Sequence, residues 1–182
     1  MMKKIAFLSA SVMSVLFASQ AFASNNTITF QGRVDSQTCT VTVNGNTAKP
    51  TVLLPTVNVD ALKESGSTAG QTTFDIGITG CNDSDTATTV STLFNGNSVS
   101  AKGNLSNVAA ADEAAQNVEI QILNTKGGAI DFNLGQFNGE GDLLLAAGEK
   151  DASATYTAQY YATQAASAGA VEASLQYAVS YN

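Results

Sequence analysis

Two cysteines, Cys39 and Cys81, stand in a chain of 182 residues with no histidine and no tryptophan. Ser–His–Asp and Cys–His nucleophilic catalysis both need an imidazole, as do most zinc sites, so these chemistries are closed. Carboxylates and thiols remain. Three acidic pairs are candidates for glycoside hydrolysis, where one carboxyl protonates the leaving oxygen and the other attacks or activates water. They are Asp60 with Glu64, Asp112 with Glu113, and Glu140 with Asp142. All lie in polar, turn-rich stretches, where solvated loop charge is the simpler reading. Asn82, Asp83 and Asp85 offer oxygen ligands, but the glycine and distant glutamate of a calcium loop are missing. No GxGxxG or P-loop pattern is present to cradle a phosphate. The residues predict no catalytic centre, no cofactor and no metal, hence not an enzyme.

The thiols are informative through their compartment. Lys3 and Lys4 precede an apolar run over residues 5–17, and Ala21-Phe22-Ala23 follows. A charged start, an apolar middle and small residues at the cut define a secretory signal peptide. The run is too short to span a bilayer. Export to an oxidising compartment predicts a Cys39–Cys81 disulfide. The three Asn-x-Ser/Thr triplets, at Asn25, Asn82 and Asn104, are read as chance beside a leader of bacterial style. Residues 1–23 hold two of the eight Lys/Arg and none of the fifteen Asp/Glu, so their removal takes the net charge from −7 to −9. That acidity argues against nucleic acid and against anionic membrane surfaces, and it favours solubility.

The elements that must carry the cysteines are strands. Cys39, Val41 and Val43 alternate with threonines and run into Asn44-Gly45, a hairpin signal. Residues 51–54 read as the returning strand, closed by Pro55. Residues 57–66 hold a helical turn, and 66–71 a loop. Phe74, Ile76 and Ile78 alternate and lead into Cys81. Further strands are expected at 89–94, 117–123 and 154–162, with a short one over 129–135. Residues 95–116 read as a surface loop with one helical turn, and 137–142 as another loop. Many short strands between turn signals, without internal repeats, mark an all-β sandwich.

The terminal stretch, 169–182, is the most regular of all. Val171, Ala173, Leu175, Tyr177, Val179 and Tyr181 alternate with Glu172, Ser174, Gln176, Ala178 and Ser180. The pattern predicts one long strand with a buried face. Gly169 is fourteenth from the end and Tyr181 penultimate. Near the mature start, Ile28, Phe30, Gly32 and Val34 share one face of another alternating stretch. A glycine on such a face marks close approach by another chain segment. Taken together, these residues resemble the chaperone–usher pilins, the subunits of type 1-like fimbriae.

The resemblance spans the whole mature chain and implies an incomplete immunoglobulin-like β-sandwich lacking its last strand. It divides the chain into a signal peptide (1–23), an N-terminal extension serving as donor strand (24–37), and a pilin domain (38–182). Ile28, Phe30, Gly32 and Val34 become the donor residues. Gly169, Val171, Ala173, Leu175, Tyr177, Val179 and Tyr181 become the strand on which chaperone and donor strand are accepted. The implied function is a structural subunit of a surface fimbria, polymerised by donor-strand exchange and supporting cell adhesion. Implied partners are identical subunits in a linear homopolymer, a periplasmic fimbrial chaperone, an outer-membrane usher and a tip adhesin. The implied route runs through the periplasm to the cell surface. The competing readings are a secreted carbohydrate-binding β-sandwich module and a minor adaptor pilin.

Overall fold

The structure is a computed structural model that describes residues 39–48, 50–82 and 85–181. The signal peptide, the extension 24–37 and Asp83 therefore lie outside the described residues. The described residues form nine strands: β1 (Thr40–Val43), β2 (Thr68–Thr79), β3 (Thr88–Gly96), β4 (Leu105–Ser106), β5 (Val118–Leu123), β6 (Phe137–Asn138), β7 (Leu143–Leu145), β8 (Ala152–Ala162) and β9 (Leu175–Tyr181). One sheet has the order β1-β2-β8-β5-β4. In the other, β3 pairs with β6 and β7 and also with β9. Every strand pairing is antiparallel.

The two sheets meet across one apolar core. In β5, Val118, Ile120 and Ile122 are buried while the residues between them are half-buried, the two-residue period of a strand with one inward face. Phe74, Ile76 and Ile78 do the same for β2. From the opposite sheet Phe94 reaches Tyr156, edge to face, with ring centroids 4.8 Å apart, and Phe74 stacks on Tyr156 at 5.8 Å. Each such side chain, fully buried, contributes about 1.5–3 kcal/mol. Fold class and core thus follow the sequence expectation: all-β, two sheets, inward faces as the alternation predicts.

Cys39 and Cys81 form the expected disulfide, with Cα atoms 4.3 Å apart. Cys39 immediately precedes β1 and Cys81 lies two residues beyond β2, so the bridge ties together the ends of a paired ladder. Closing a loop of this length restricts the unfolded chain by roughly 4 kcal/mol in the chain-entropy account.

Several local expectations are corrected. Asn44 and Gly45 do turn the chain, with φ of 49° and 76°, and Val43 and Asn46 exchange backbone hydrogen bonds. The returning segment 51–54, however, joins no strand ladder; Pro50 and Pro55 flank it and neither has an N–H to give. Residues 68–71, expected in a loop, begin β2, which carries a bulge between Ala69 and Thr72. Within 129–135 there is no strand. Ala129 makes one bridge to Leu123, and Phe132–Leu134 is a 3-10 turn whose cap, Asp131, accepts from Asn133 N–H. The loops 95–116 and 137–142 contain the two-residue strands β4 and β6. The helical turn at 57–66 is a 3-10 turn, Val59–Leu62. The terminal ladder is shorter than its pattern: β9 covers Leu175–Tyr181, and 170–174 is extended but paired piecemeal.

Candidate functional site

The acidic pairs come first, because they carried the catalytic alternative. Asp60 makes an exposed ion pair with Lys63 at 3.0 Å. Glu64, Asp112, Glu113 and Glu140 are exposed. Asp142 is half-buried and occupied: it accepts from Thr92 N–H at 2.8 Å and from the Tyr156 hydroxyl. It therefore serves the core, fixing the loop before β7 to β3 and satisfying a buried phenol. Burial, and then this carboxylate, push the Tyr156 hydroxyl well above the ordinary tyrosine range. Sequence reasoning saw Asp142 only as a neighbour of Glu140, and nothing local links it to Tyr156.

A cavity of about 950 Å³ runs beside the terminal segment. Val171 to Leu175 and Tyr177 line it from the terminal segment, and Thr51 to Leu54 line it from the proline-flanked segment. The floor is core: Phe74, Ile76, Ile120, Ile122 and Ala158 line it. Tyr160 and Val171 pack against both this core and a smaller cluster built on Leu62, Val118 and Ala162, so they stand where the two meet. Burial raises the Tyr160 hydroxyl above its ordinary value. Among the described residues of the lining, Glu172 alone is charged, and its side of the strand is exposed.

The backbone of this wall is arranged with equal regularity. Ala170 exchanges backbone hydrogen bonds with Glu113 and Ala115, Glu172 O accepts from Val108 N–H, and Ser174 O accepts from Asn97 N–H. The register then continues along β3, with Gln176 opposite Asn95, Ala178 opposite Leu93 and Ser180 opposite Ser91. The even-numbered residues thus spend their N–H and C=O groups on one edge. In extended backbone successive residues point these groups to opposite edges. Those of Val171, Ala173, Leu175, Tyr177 and Val179 therefore point the other way, to an edge with no ladder partner among the described residues. The same odd-numbered residues turn their side chains inward and are half-buried, while Glu172, Ser174, Gln176 and Ala178 are exposed. A free strand edge and an apolar trough thus occupy the same side of one segment.

Two residues hold this segment in place. Gly169 passes so close to the turn at 113–115 that a Cβ there would lie 2.6 Å from the Glu113 carbonyl oxygen and would overlap the Ala115 amide. The glycine seen in the sequence is therefore required for backbone approach. Asn107 was missed. Its amide donates to Ala115 O at 3.0 Å and Ala170 O at 2.9 Å, and its carbonyl accepts from Ala109 N–H at 3.1 Å and Glu172 N–H at 3.0 Å. Two donors and two acceptor sites are the whole capacity of an amide. Its partners are up to 65 residues away, so no local signal identified it. At the far end, Cys39 N–H donates to the Tyr181 hydroxyl oxygen at 3.2 Å.

Of the residues expected on the acceptor strand, Val171, Ala173, Leu175 and Tyr177 line the cavity, and Val179 and Tyr181 pack on the same core. Gly169 lies outside the lining and acts on the backbone path. Ile28, Phe30, Gly32 and Val34 lie outside the described residues.

Comparison with known proteins points the same way. The sequence pattern of a family described as fimbrial protein matches residues 28–182. The F17 fimbrial protein of Escherichia coli is 36% identical, with 99% of this chain and 99% of that protein aligned. The major fimbrial subunit SMF-1 of Stenotrophomonas maltophilia is 37% identical over 89% of this chain and 95% of that protein. Among solved structures, the P pilus rod subunit PapA is similar in fold, with a TM-score of 0.58 at 15% identity, over 79% of this chain and 99% of that one.

Proposed function

The chain belongs to the fimbrial protein family and is a structural pilus subunit with an incomplete immunoglobulin-like sandwich; from that premise we propose that its groove takes a β-strand from another polypeptide. The relatives are structural fimbrial subunits and not enzymes, and subunits of this family form surface pili. In our reading the acceptor edge is Val171, Ala173, Leu175, Tyr177 and Val179. The donor is the extension 24–37 of a neighbouring copy, with Ile28, Phe30 and Val34 filling the trough and Gly32 passing its shallow point. Before assembly a periplasmic chaperone lends the strand, and exchange at an outer-membrane usher replaces it.

One observation carries the reading: the free edge and the apolar cavity coincide along 171–177. Strand addition needs both, because the main chain supplies direction and the alternate side chains supply pockets. Strand addition is a recognised peptide-binding mode for which pilin complementation is itself a standard example, so the match to the mode is expected of the family. Three apolar donor side chains, fully buried, would contribute roughly 5–9 kcal/mol before ordering costs.

The test refolds the mature chain, oxidised, with an excess of synthetic peptide of residues 24–37. A stable one-to-one complex is expected by native mass spectrometry. Its amide exchange should slow at Val171, Ala173, Leu175, Tyr177 and Val179. The same peptide with Gly32→Leu should bind roughly 5- to 150-fold more weakly, since overpacking costs about 1–3 kcal/mol. No complex, or protection confined to other strands, overturns the reading.

A further inference from the structure

The groove has a second lining segment that resembles a strand and joins no ladder among the described residues. Residues 50–55 read Pro-Thr-Val-Leu-Leu-Pro, and these two prolines are the only ones in the chain. Val52 and Leu54 pack against the core, whereas Leu53 is 81% exposed. The segment therefore alternates in and out as β9 does, yet it joins no ladder. The same cavity is lined by 171–177, whose odd-numbered backbone groups have no ladder partner among the described residues. Two apolar segments bordering one trough would close it by pairing, and an open edge is normally a liability that invites such pairing.

Proline obstructs that closure in a position-dependent way. It has no N–H, and its ring crowds a partner strand, so it is excluded from paired strand interiors. Successive N–H groups of an extended segment point to opposite edges. Pro50 and Pro55 are an odd number of residues apart, so one interrupts each edge. Whichever edge turns toward the terminal strand, one of its three residues lacks a donor. Proline also holds the residue before it extended, which keeps Leu54 in a backbone state that directs it onto the core.

We propose that Pro50 and Pro55 hold the groove open. They let the wall stay extended and packed while preventing it from zipping onto Val171–Val179, so the edge remains available to an incoming strand. This rests on the strand-acceptor reading above and assigns it a device within the same site.

The test compares the mature wild type with Pro50→Thr/Pro55→Thr, threonine being a good strand residue. Each is refolded alone at high dilution and then given labelled peptide of residues 24–37. The double variant is expected to capture peptide at least tenfold more slowly. Before peptide is added, its amide exchange at Val171, Ala173 and Leu175 should already be slower than in wild type. Disulfide formation and far-ultraviolet circular dichroism check folding; should the double variant not fold, the two single variants are measured, and the one restoring the donor that faces β9 is expected to show the same slowing. Wild-type capture rates together with wild-type exchange overturn the proposal, as does faster capture. If wild type itself captures no peptide, it is the strand-acceptor reading that fails.

Discussion

The Cys39 amide donates to the Tyr181 hydroxyl oxygen across 142 residues of sequence, at 3.2 Å. The bond ties the penultimate residue of the chain to the disulfide that heads the first strand. It lies at the end of β9, remote from Gly169. Tyr181→Phe keeps the ring and removes only this hydroxyl. We expect a loss of about 0.5–1.5 kcal/mol in denaturant unfolding of the oxidised protein, the ordinary net worth of one hydrogen bond. Cys81→Ser should cost more, about 2–5 kcal/mol. If Tyr181→Phe proves as damaging as Cys81→Ser, the tyrosine is doing something beyond this bond.

Gly169→Ala should destabilise strongly, because the added methyl meets backbone and not a movable side chain. The turn at 113–115 would have to shift and would strain the Asn107 hydrogen bonds with it. A cost at or above the usual 1–3 kcal/mol of overpacking is expected. Asn107→Ala should loosen the same junction from its other side, by leaving Ala115 and Ala170 carbonyls short of a donor. Amide exchange at Glu172 reports both changes directly; unaltered exchange in Gly169→Ala would contradict the close approach.

Leu175→Asp and Tyr177→Asp place a carboxylate on the inward face of β9, the proposed acceptor strand. An unpaired charge there is strongly unfavourable once the groove is filled. Peptide capture should therefore be lost, and the subunit should be degraded when produced in cells. Gln176→Asp, one residue along on the exposed face, should be tolerated. Equal behaviour of Leu175→Asp and Gln176→Asp would mean that this face is not the groove.

Tyr156 makes stability depend on alkaline pH. Its hydroxyl is buried against Asp142, which raises its pKa in the folded state above the unfolded value near 10. The native state thus holds a proton that the unfolded chain releases. The contribution is complete below about pH 10 and declines as pH rises beyond it. Tyr156→Phe should show a flatter decline between about pH 9.5 and 11.5, measured by urea unfolding with the disulfide intact. A parallel decline in both proteins would count against the assignment.

Much of this molecule was legible as one-dimensional pattern. Two-residue alternation identified the long strands of the core and the inward face of 171–181, because burial on one side of a strand writes itself into the sequence at that period. Two cysteines, in a chain whose first residues read as a secretory leader, foretold the bridge. The same alternation erred at 51–54, where Val52 and Leu54 do face the core but no strand lies beside them. Periodicity records which face is buried and carries no information about which edge is paired. That is also why the two-residue strands β4 and β6 passed for loops, and why Gly169 could be read only as part of a signature. Its reason, the backbone of Glu113 and Ala115 pressed against it, exists only after folding. Asn107, the Asp142–Tyr156 contact and the groove were equally hidden. Each depends on groups far apart in sequence whose meeting is decided by how two sheets pack, and a cavity lined by both the terminal segment and a proline-flanked one is a property of that packing alone.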